Sequence, residues 1–149
     1  MARLRKTKRK APRSRSRYFG IDIVPGVIFG FVDDETQWWL DLKRLVKPEH
    51  QVDYPPSPLA TAGGQTTTFM EPLKGYSRLS IVTMPKQACD MDQTIGTLAH
   101  EAVHIFENFA IQIGEHMPSS EFRAYTMGYL VRRLLQAYIE LRRPKWTTN

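Results

Sequence analysis

Residues 100 to 104 read His-Glu-Ala-Val-His, the stretch of this chain best suited to chemistry. Histidines four residues apart lie on one face of a helix, so His100 and His104 can direct ring nitrogens at the same divalent cation. A glutamate beside the first histidine can reach a water molecule on that cation. The pattern predicts a Zn²⁺ site in which His100 and His104 are metal ligands and Glu101 is the general base of a hydrolysis.

A third zinc ligand must come from elsewhere, because catalytic zinc usually has three protein ligands and one position open to water. Glu107 lies on the continuing helix and reaches back poorly, whereas Glu115 and His116 lie in the turn that follows. Glu121 is in the first turn of the next helix, which must run antiparallel after so short a connection. We favour Glu121 as the third ligand and keep Glu115 and His116 as alternatives. In the competing interpretation, Glu121 only complements the helix dipole.

The predicted reaction is hydrolysis of a peptide bond in a protein or peptide substrate. Zinc lowers the pKa of bound water and polarises a carbonyl, and Glu101 would carry the proton from that water to the leaving nitrogen. Tyr125, one turn after Glu121, is a candidate donor to the oxyanion, with a core tyrosine as the alternative. Ser77–Met84 is our candidate edge strand for binding the peptide by strand addition.

The elements that must position these residues follow from hydrophobic periodicity and capping signals. Asp34 and Asp90 each precede a glutamine by three residues, which is typical of a helix start, and Gly114 is a suitable helix stop. The Pro- and Gly-rich stretch Lys47–Gln65 predicts a long irregular connection. The predicted elements are one or two strands within Tyr18–Val32, a helix over Glu35–Val46, strands over Thr66–Met70 and Ser77–Met84, and helices over 91–113 and 119–142. This order predicts an α+β fold with a small antiparallel or mixed sheet packed on a helical half.

Basic charge is concentrated at the start of the chain. Of 21 lysines and arginines, nine lie within residues 1–17, and removing these nine charges from the net charge of +6 leaves −3 for the rest. We predict a disordered basic arm over 1–17 and a single domain over 18–149. The arm, from Arg3 to Arg17, would contact nucleic acid or another polyanion non-specifically through counterion release. A solubilising extension is the alternative.

Composition also bears on the compartment. No apolar run approaches the roughly 20 residues that a membrane-spanning helix needs, so no membrane contact is expected. The basic N-terminus is not followed by the apolar segment of a signal peptide, so export by that route is not expected. Cys89 is the only cysteine, which excludes an internal disulfide. A small filler near a helix start and a metal ligand are its two possible roles.

The motif and the residues after it resemble a family of small zincin-like proteins encoded by tailed bacteriophages and prophages. The family pattern is L-x-H-E-A-V-H, then I-G-E, then a proline, then E-x-x-A-Y. The matching residues in this chain are Thr97 to His104, Ile113 to Glu115, Pro118, Glu121, and Ala124 with Tyr125. The resemblance covers roughly 78–138, with weaker likeness over 37–45. Phe106-Glu107 departs from the tryptophan-glutamine pair common in the family, and the basic arm is not part of its pattern.

The resemblance implies a zincin-like fold and a metallopeptidase activity that depends on His100, Glu101, His104 and Glu121, with Glu115 and Tyr125 nearby. It also implies a place in the host cytoplasm or the phage virion, with phage structural proteins as partners. The alternative is a non-catalytic virion or assembly protein on the same fold, whose basic arm contacts nucleic acid.

Overall fold

A four-stranded mixed sheet organises the chain. The computed structural model describes residues 14–49, 56–60, 63–73, 75–86 and 90–143. The strands are β1 (Ser16–Gly20), β2 (Val27–Val32), β3 (Gln65–Met70) and β4 (Arg78–Thr83), in the order β1-β2-β4-β3. The two central strands β2 and β4 are parallel, and each outer strand pairs antiparallel with its neighbour.

Among the described residues, three α-helices complete the α+β architecture, as the sequence predicts. Helix α1 spans Glu35–Leu45, α2 spans Met91–Gln112 and α3 spans Ser120–Arg142. A short 3-10 turn at Pro58–Ala60 lies within the predicted irregular connection. The predicted strands and helices are all found, with ends shifted by one or two residues.

The sheet separates two hydrophobic clusters. One face packs on α1 through Trp38, Leu42 and Val46. The other packs on α2 and α3 and contains the buried phenylalanines of β2, Phe29 and Phe31. Because both faces are covered, all six residues of β4 are buried. Ser80 is among these buried residues, and it shares a hydrogen bond of 3.0 Å with Thr68 of β3.

Capping side chains fix where the helices begin. The carboxylates of Asp34 and Asp90 accept hydrogen bonds from the backbone N–H groups of Gln37 and Gln93, and the Ser119 hydroxyl does the same at the start of α3. Gly114 has φ of +74°, the left-handed conformation that glycine adopts most readily, and it ends the turn after α2. These local signals explain why the helix starts were predictable.

Helices α2 and α3 form an antiparallel hairpin. Phe122 in the first turn of α3 contacts the rings of Phe106 and Phe109, with centroids 6.3 Å apart in both pairs. The start of α3 therefore lies beside the part of α2 that follows His104. This register determines which α3 side chains can approach the motif.

The end of α3 is tied to the sheet by a buried ion pair. Asp33 is only 1% exposed and accepts a hydrogen bond of 2.6 Å from Arg142 Nε, and it also pairs with Arg15. Arg142 donates further to the carbonyl oxygens of Met84 and Pro85. A buried carboxylate needs such partners, because an unpaired buried charge is costly.

The predicted boundary between arm and domain is too far along the chain. β1 begins at Ser16, Arg15 pairs with Asp33 and Asp34, and Arg17 pairs with Glu140. Both arginines belong to the folded domain because acidic partners hold them. Residues 1–13, His50 and Cys89 lie outside the described residues, and so do the predictions made for the arm up to residue 13 and for Cys89. No helix in the described ranges has the length and apolar character needed to cross a membrane.

Candidate metal centre and active site

The two histidines of the motif converge on one point. Both lie on the exposed side of α2, and their Nε2 atoms are 3.1 Å apart. The rings are nearly perpendicular, with centroids 4.8 Å apart. The i, i+4 spacing on one helix face therefore produces the convergence that the sequence predicts for His100 and His104.

The separation of the two nitrogens suits a shared ion. Two nitrogens that each lie about 2.0–2.1 Å from one zinc ion in tetrahedral geometry are roughly 3.3 Å apart. The observed 3.1 Å is close to this value. It also suits a hydrogen bond between two neutral imidazoles, one donating and the other accepting. Geometry alone thus fits a metal and is compatible with a metal-free pair.

Glu101 points to a different side of α2 and is buried, with 3% of its surface exposed. Its Oε2 atom accepts a hydrogen bond of 2.7 Å from the Thr66 hydroxyl on β3. A Cβ atom built on Gly64 would lie 3.0 Å from the Oε1 atom of Glu101 and 2.5 Å from the Thr97 methyl group. The carboxylate therefore occupies a space that exists because residue 64 has no side chain. The chain segment leading into β3 holds Glu101 in place.

The carboxylate of Glu107 lies near Nδ1 of His104, the ring nitrogen that does not face His100. Glu107 Oε2 lies 3.9 Å from His104 Nδ1, one helical turn further along α2. Histidines that bind metals commonly direct their other ring nitrogen at a carboxylate, which fixes the tautomer. Glu107 lies on that side of the ring.

Arg78 anchors α2 to the sheet close to this site. Its guanidinium donates to the backbone carbonyl of Asn108, and the amide of Asn108 donates to the carbonyl of His104 at 2.8 Å. Burial lowers the pKa of Arg78 below its usual value. The helical turn after the second histidine is thus held against β4.

Among the residues that the structure describes, no third ligand is brought up to the pair. Within the described ranges, no three His, Cys, Asp or Glu side chains form a group that would hold a metal ion. Glu121 lies in the first turn of α3, exposed, at the level of Phe106 and Phe109 and thus beyond His104 along α2. It makes no ion pair or side-chain hydrogen bond with any other described residue. Its role as a ligand stays a prediction.

The two alternative ligands line a cavity next to the motif. This cavity has a volume of about 530 Å³ and lies between the second half of α2, the turn after it and the start of α3. Glu107, Glu115 and His116 are among its polar lining residues, and Val103 and Met127 are among its apolar ones. Glu115 and His116 are therefore on the same flank of α2 as Glu107, whose carboxylate approaches His104.

Tyr125 lies apart from the histidine pair. It is 78% exposed and lines a smaller cavity of about 210 Å³ with Ile21, Ile23 and Tyr129. The core-tyrosine alternative does not hold for so exposed a side chain. No contact between Tyr125 and the motif is found among the described residues, so the proposed hydrogen bond from Tyr125 to an oxyanion stays a prediction.

The strand beside the motif is β3, and this corrects the candidate for strand addition. Ser77–Met84 contains β4, which pairs with β2 on one side and β3 on the other and so offers no free edge. In the sheet that the described residues form, β3 is an edge strand, and Thr66 places it next to Glu101. Sequence reasoning missed this because strand order depends on contacts between distant residues. It also missed Thr66 and Gly64, for which the chain carries no local signal.

Comparisons with known proteins add no relative: no family model, curated protein or solved structure shows significant similarity to this chain.

Proposed function

We propose that this protein is a zinc-dependent metallopeptidase encoded by a bacteriophage or prophage. It hydrolyses peptide bonds with Glu101 as general base, and His100 and His104 bind the metal. The single observation that carries the proposal is the convergence of two imidazole nitrogens, 3.1 Å apart, next to a buried glutamate on the same helix. The phage origin and the zincin-like fold rest on the resemblance of residues 97–125 to that family.

The residues present fit a zinc ion at the histidine pair. The two Nε2 atoms are close to the separation that joint ligation requires, and the Glu107 carboxylate lies 3.9 Å from the other ring nitrogen of His104. Glu121 completes the set in our proposal, with Glu115 and His116 as alternatives. Glu121 is exposed and lies in the first turn of the neighbouring helix α3.

The chemistry divides between the ion and the chain. Zinc, when bound, supplies a Lewis acid for the peptide carbonyl and a water molecule that ionises near neutral pH. Glu101 accepts the proton of the attacking water and donates it to the leaving nitrogen. The burial of Glu101 and its hydrogen bond from Thr66 hold the carboxylate in one orientation on the β3 side of α2.

The substrate is proposed to bind along the outer edge of β3, an edge strand of the sheet that the described residues form. An extended peptide added to an edge strand gains main-chain hydrogen bonds that do not depend on its side chains. Since β3 carries the residue that contacts Glu101, a peptide on this edge would lie along the same flank of α2 as the general base. The proposed substrate is accordingly an extended segment of a phage or host protein.

The test compares Glu101→Gln with the parent chain. Glutamine keeps an oxygen that accepts the Thr66 hydrogen bond, so zinc content and melting temperature should remain while hydrolysis falls by about 10²–10⁴-fold, the usual contribution of a general base. Asp92→Asn, which alters an exposed carboxylate on the same helix, is the control and should leave hydrolysis unchanged. Equal turnover in Glu101→Gln and the parent chain would remove Glu101 from the mechanism.

A second candidate is a non-catalytic virion or assembly protein on the same fold, in contact with phage structural proteins. The observation that favours it is that no third acidic or histidine side chain joins the pair among the residues described. Mass spectrometry of purified phage particles separates the two candidates. A fixed copy number in the virion, together with no zinc-dependent hydrolysis, would support the structural role and refute the enzyme.

The basic arm remains a proposed contact for nucleic acid, now limited to residues 1–13. These residues hold seven lysines and arginines, whereas Arg15 and Arg17 are engaged by acidic side chains of the domain. Seven neutralised phosphates predict a slope of log K against log salt that is steeper by up to about 6. Deleting residues 1–13 should remove this slope for duplex DNA and leave the fold intact. An unchanged slope would exclude the arm.

A further inference from the structure

Thr66 stands out because its hydroxyl group joins β3 to the buried carboxylate of the motif. The hydroxyl donates to Glu101 Oε2 at 2.7 Å and lies 3.3 Å from the backbone carbonyl oxygen of Glu101. The shorter distance makes the carboxylate its main acceptor. A hydroxyl has one proton to donate, and the nearer oxygen receives it.

We infer that Thr66 is a positioning residue for Glu101, a role that rests on the proposed peptidase function. A glutamate side chain has three torsion angles. A buried glutamate without a hydrogen-bond partner would not be held in one orientation. The hydrogen bond from the Thr66 hydroxyl to Oε2 fixes the plane of the carboxylate. The other oxygen, Oε1, faces the side-chain-free position of Gly64.

The position of Thr66 in the sheet gives the contact a further consequence. Thr66 lies near the start of β3, the edge strand on which the substrate is proposed to bind. A peptide that adds to this strand would steady the backbone that carries the hydroxyl. Binding of substrate and alignment of the base are thus linked through one residue, so the loss of Thr66 should affect kcat more than KM.

Kinetics of three variants test the role. Thr66→Val keeps the shape and the strand preference of threonine but removes the hydroxyl, and it should lower kcat about 10- to 100-fold, as a misplacement of about 1 Å does, with KM and zinc content unchanged. Thr66→Ser retains the hydroxyl and should recover most of kcat. Thr68→Val is the matched control, because Thr68 is on the same strand but bonds to Ser80 and not to Glu101.

A measurement without zinc or turnover provides the second readout. In excess chelator, Thr66→Val should lower the melting temperature of the parent chain by a few degrees, since roughly 2–4 °C corresponds to 1 kcal/mol at this size. The same substitution in a Glu101→Met background should give no such shift, because the partner is gone. Thr68→Val should give equal shifts in the two backgrounds.

The outcomes separate this inference from the proposed function. Full kcat in Thr66→Val, with Glu101→Gln inactive, would overturn the positioning role and leave the peptidase in place. Equal melting shifts for Thr66→Val in both backgrounds would also overturn it. Absence of Glu101-dependent hydrolysis in the parent chain would overturn the proposed function, and the positioning role with it.

Discussion

Adding a single methyl group at Gly64 should disturb the proposed general base. A Cβ atom at this position would lie 2.5 Å from Thr97 Cγ2, 3.0 Å from Glu101 Oε1 and 3.1 Å from Glu101 Cγ. Comfortable contacts between carbon atoms are about 3.5–4.0 Å long. Gly64→Ala must therefore push the segment before β3 and helix α2 apart by about 1 Å, or turn the Glu101 side chain away from Thr66.

The magnitude follows from these distances. Overpacking of this kind costs about 1–3 kcal/mol of unfolding free energy. A displacement of about 1 Å at a reacting group costs about 10²-fold in rate. Thr97→Ser removes the methyl group at the shortest contact, so the double variant with Gly64→Ala should regain more than half of the lost stability. Glu101 contacts remain in the double variant, and activity should return only in part.

Urea unfolding and peptide hydrolysis are the assays. Gly96→Ala is the matched control: it makes the same substitution on α2, where a Cβ atom meets nothing within 4 Å, and should stabilise the chain by about 0.5–1 kcal/mol. The expected result is that Gly64→Ala lowers the free energy of unfolding and Gly96→Ala raises it. If Gly64→Ala were as stable and active as the parent chain, the close approach of Gly64, the residue before β3, to Glu101 would be refuted.

Two further predictions concern groups away from the motif. Arg142→Ala leaves Asp33 buried with one partner fewer and should lower the free energy of unfolding in urea by about 3–5 kcal/mol. The control is Arg132→Ala, an exposed change on the same helix, which should alter it by no more than about 0.5 kcal/mol. A loss below about 1 kcal/mol for Arg142→Ala would contradict the buried pair. Burial, with a smaller contribution from Asp41, raises the pKa of Tyr18 well above its usual value. The folded chain therefore keeps a proton that the unfolded chain loses, so stability should fall as pH rises above about 10, by up to about 1.4 kcal/mol per pH unit. Tyr18→Phe should flatten this decline, and an identical slope in the variant would exclude Tyr18 as its source.

Local features of the fold were predictable from the sequence. The starts of α1 and α2 follow from Asp34 and Asp90, whose carboxylates cap the helices three residues upstream of a glutamine. The convergence of His100 and His104 follows from helix periodicity alone. Each of these signals depends on residues within one turn of each other, where helix geometry fixes the relative placement.

Features that depend on distant residues were not predictable. The order of the strands placed β4 in the centre and β3 at the edge, and it requires pairing between segments separated by α1. The contact between Thr66 and Glu101 joins residues 35 apart in the chain. The start of the folded domain was placed too late because Arg15 looks like part of a basic run until its partners Asp33 and Asp34 are seen.

The metal content of the purified chain tests the central claim most directly. We predict about one zinc per chain, with imidazole nitrogens about 2.0–2.1 Å from the ion by X-ray absorption. His100→Ala and His104→Ala should each abolish binding, and His50→Ala should leave it unchanged. A chain that binds no zinc, or one whose zinc is retained when both His100 and His104 are replaced, would contradict the account.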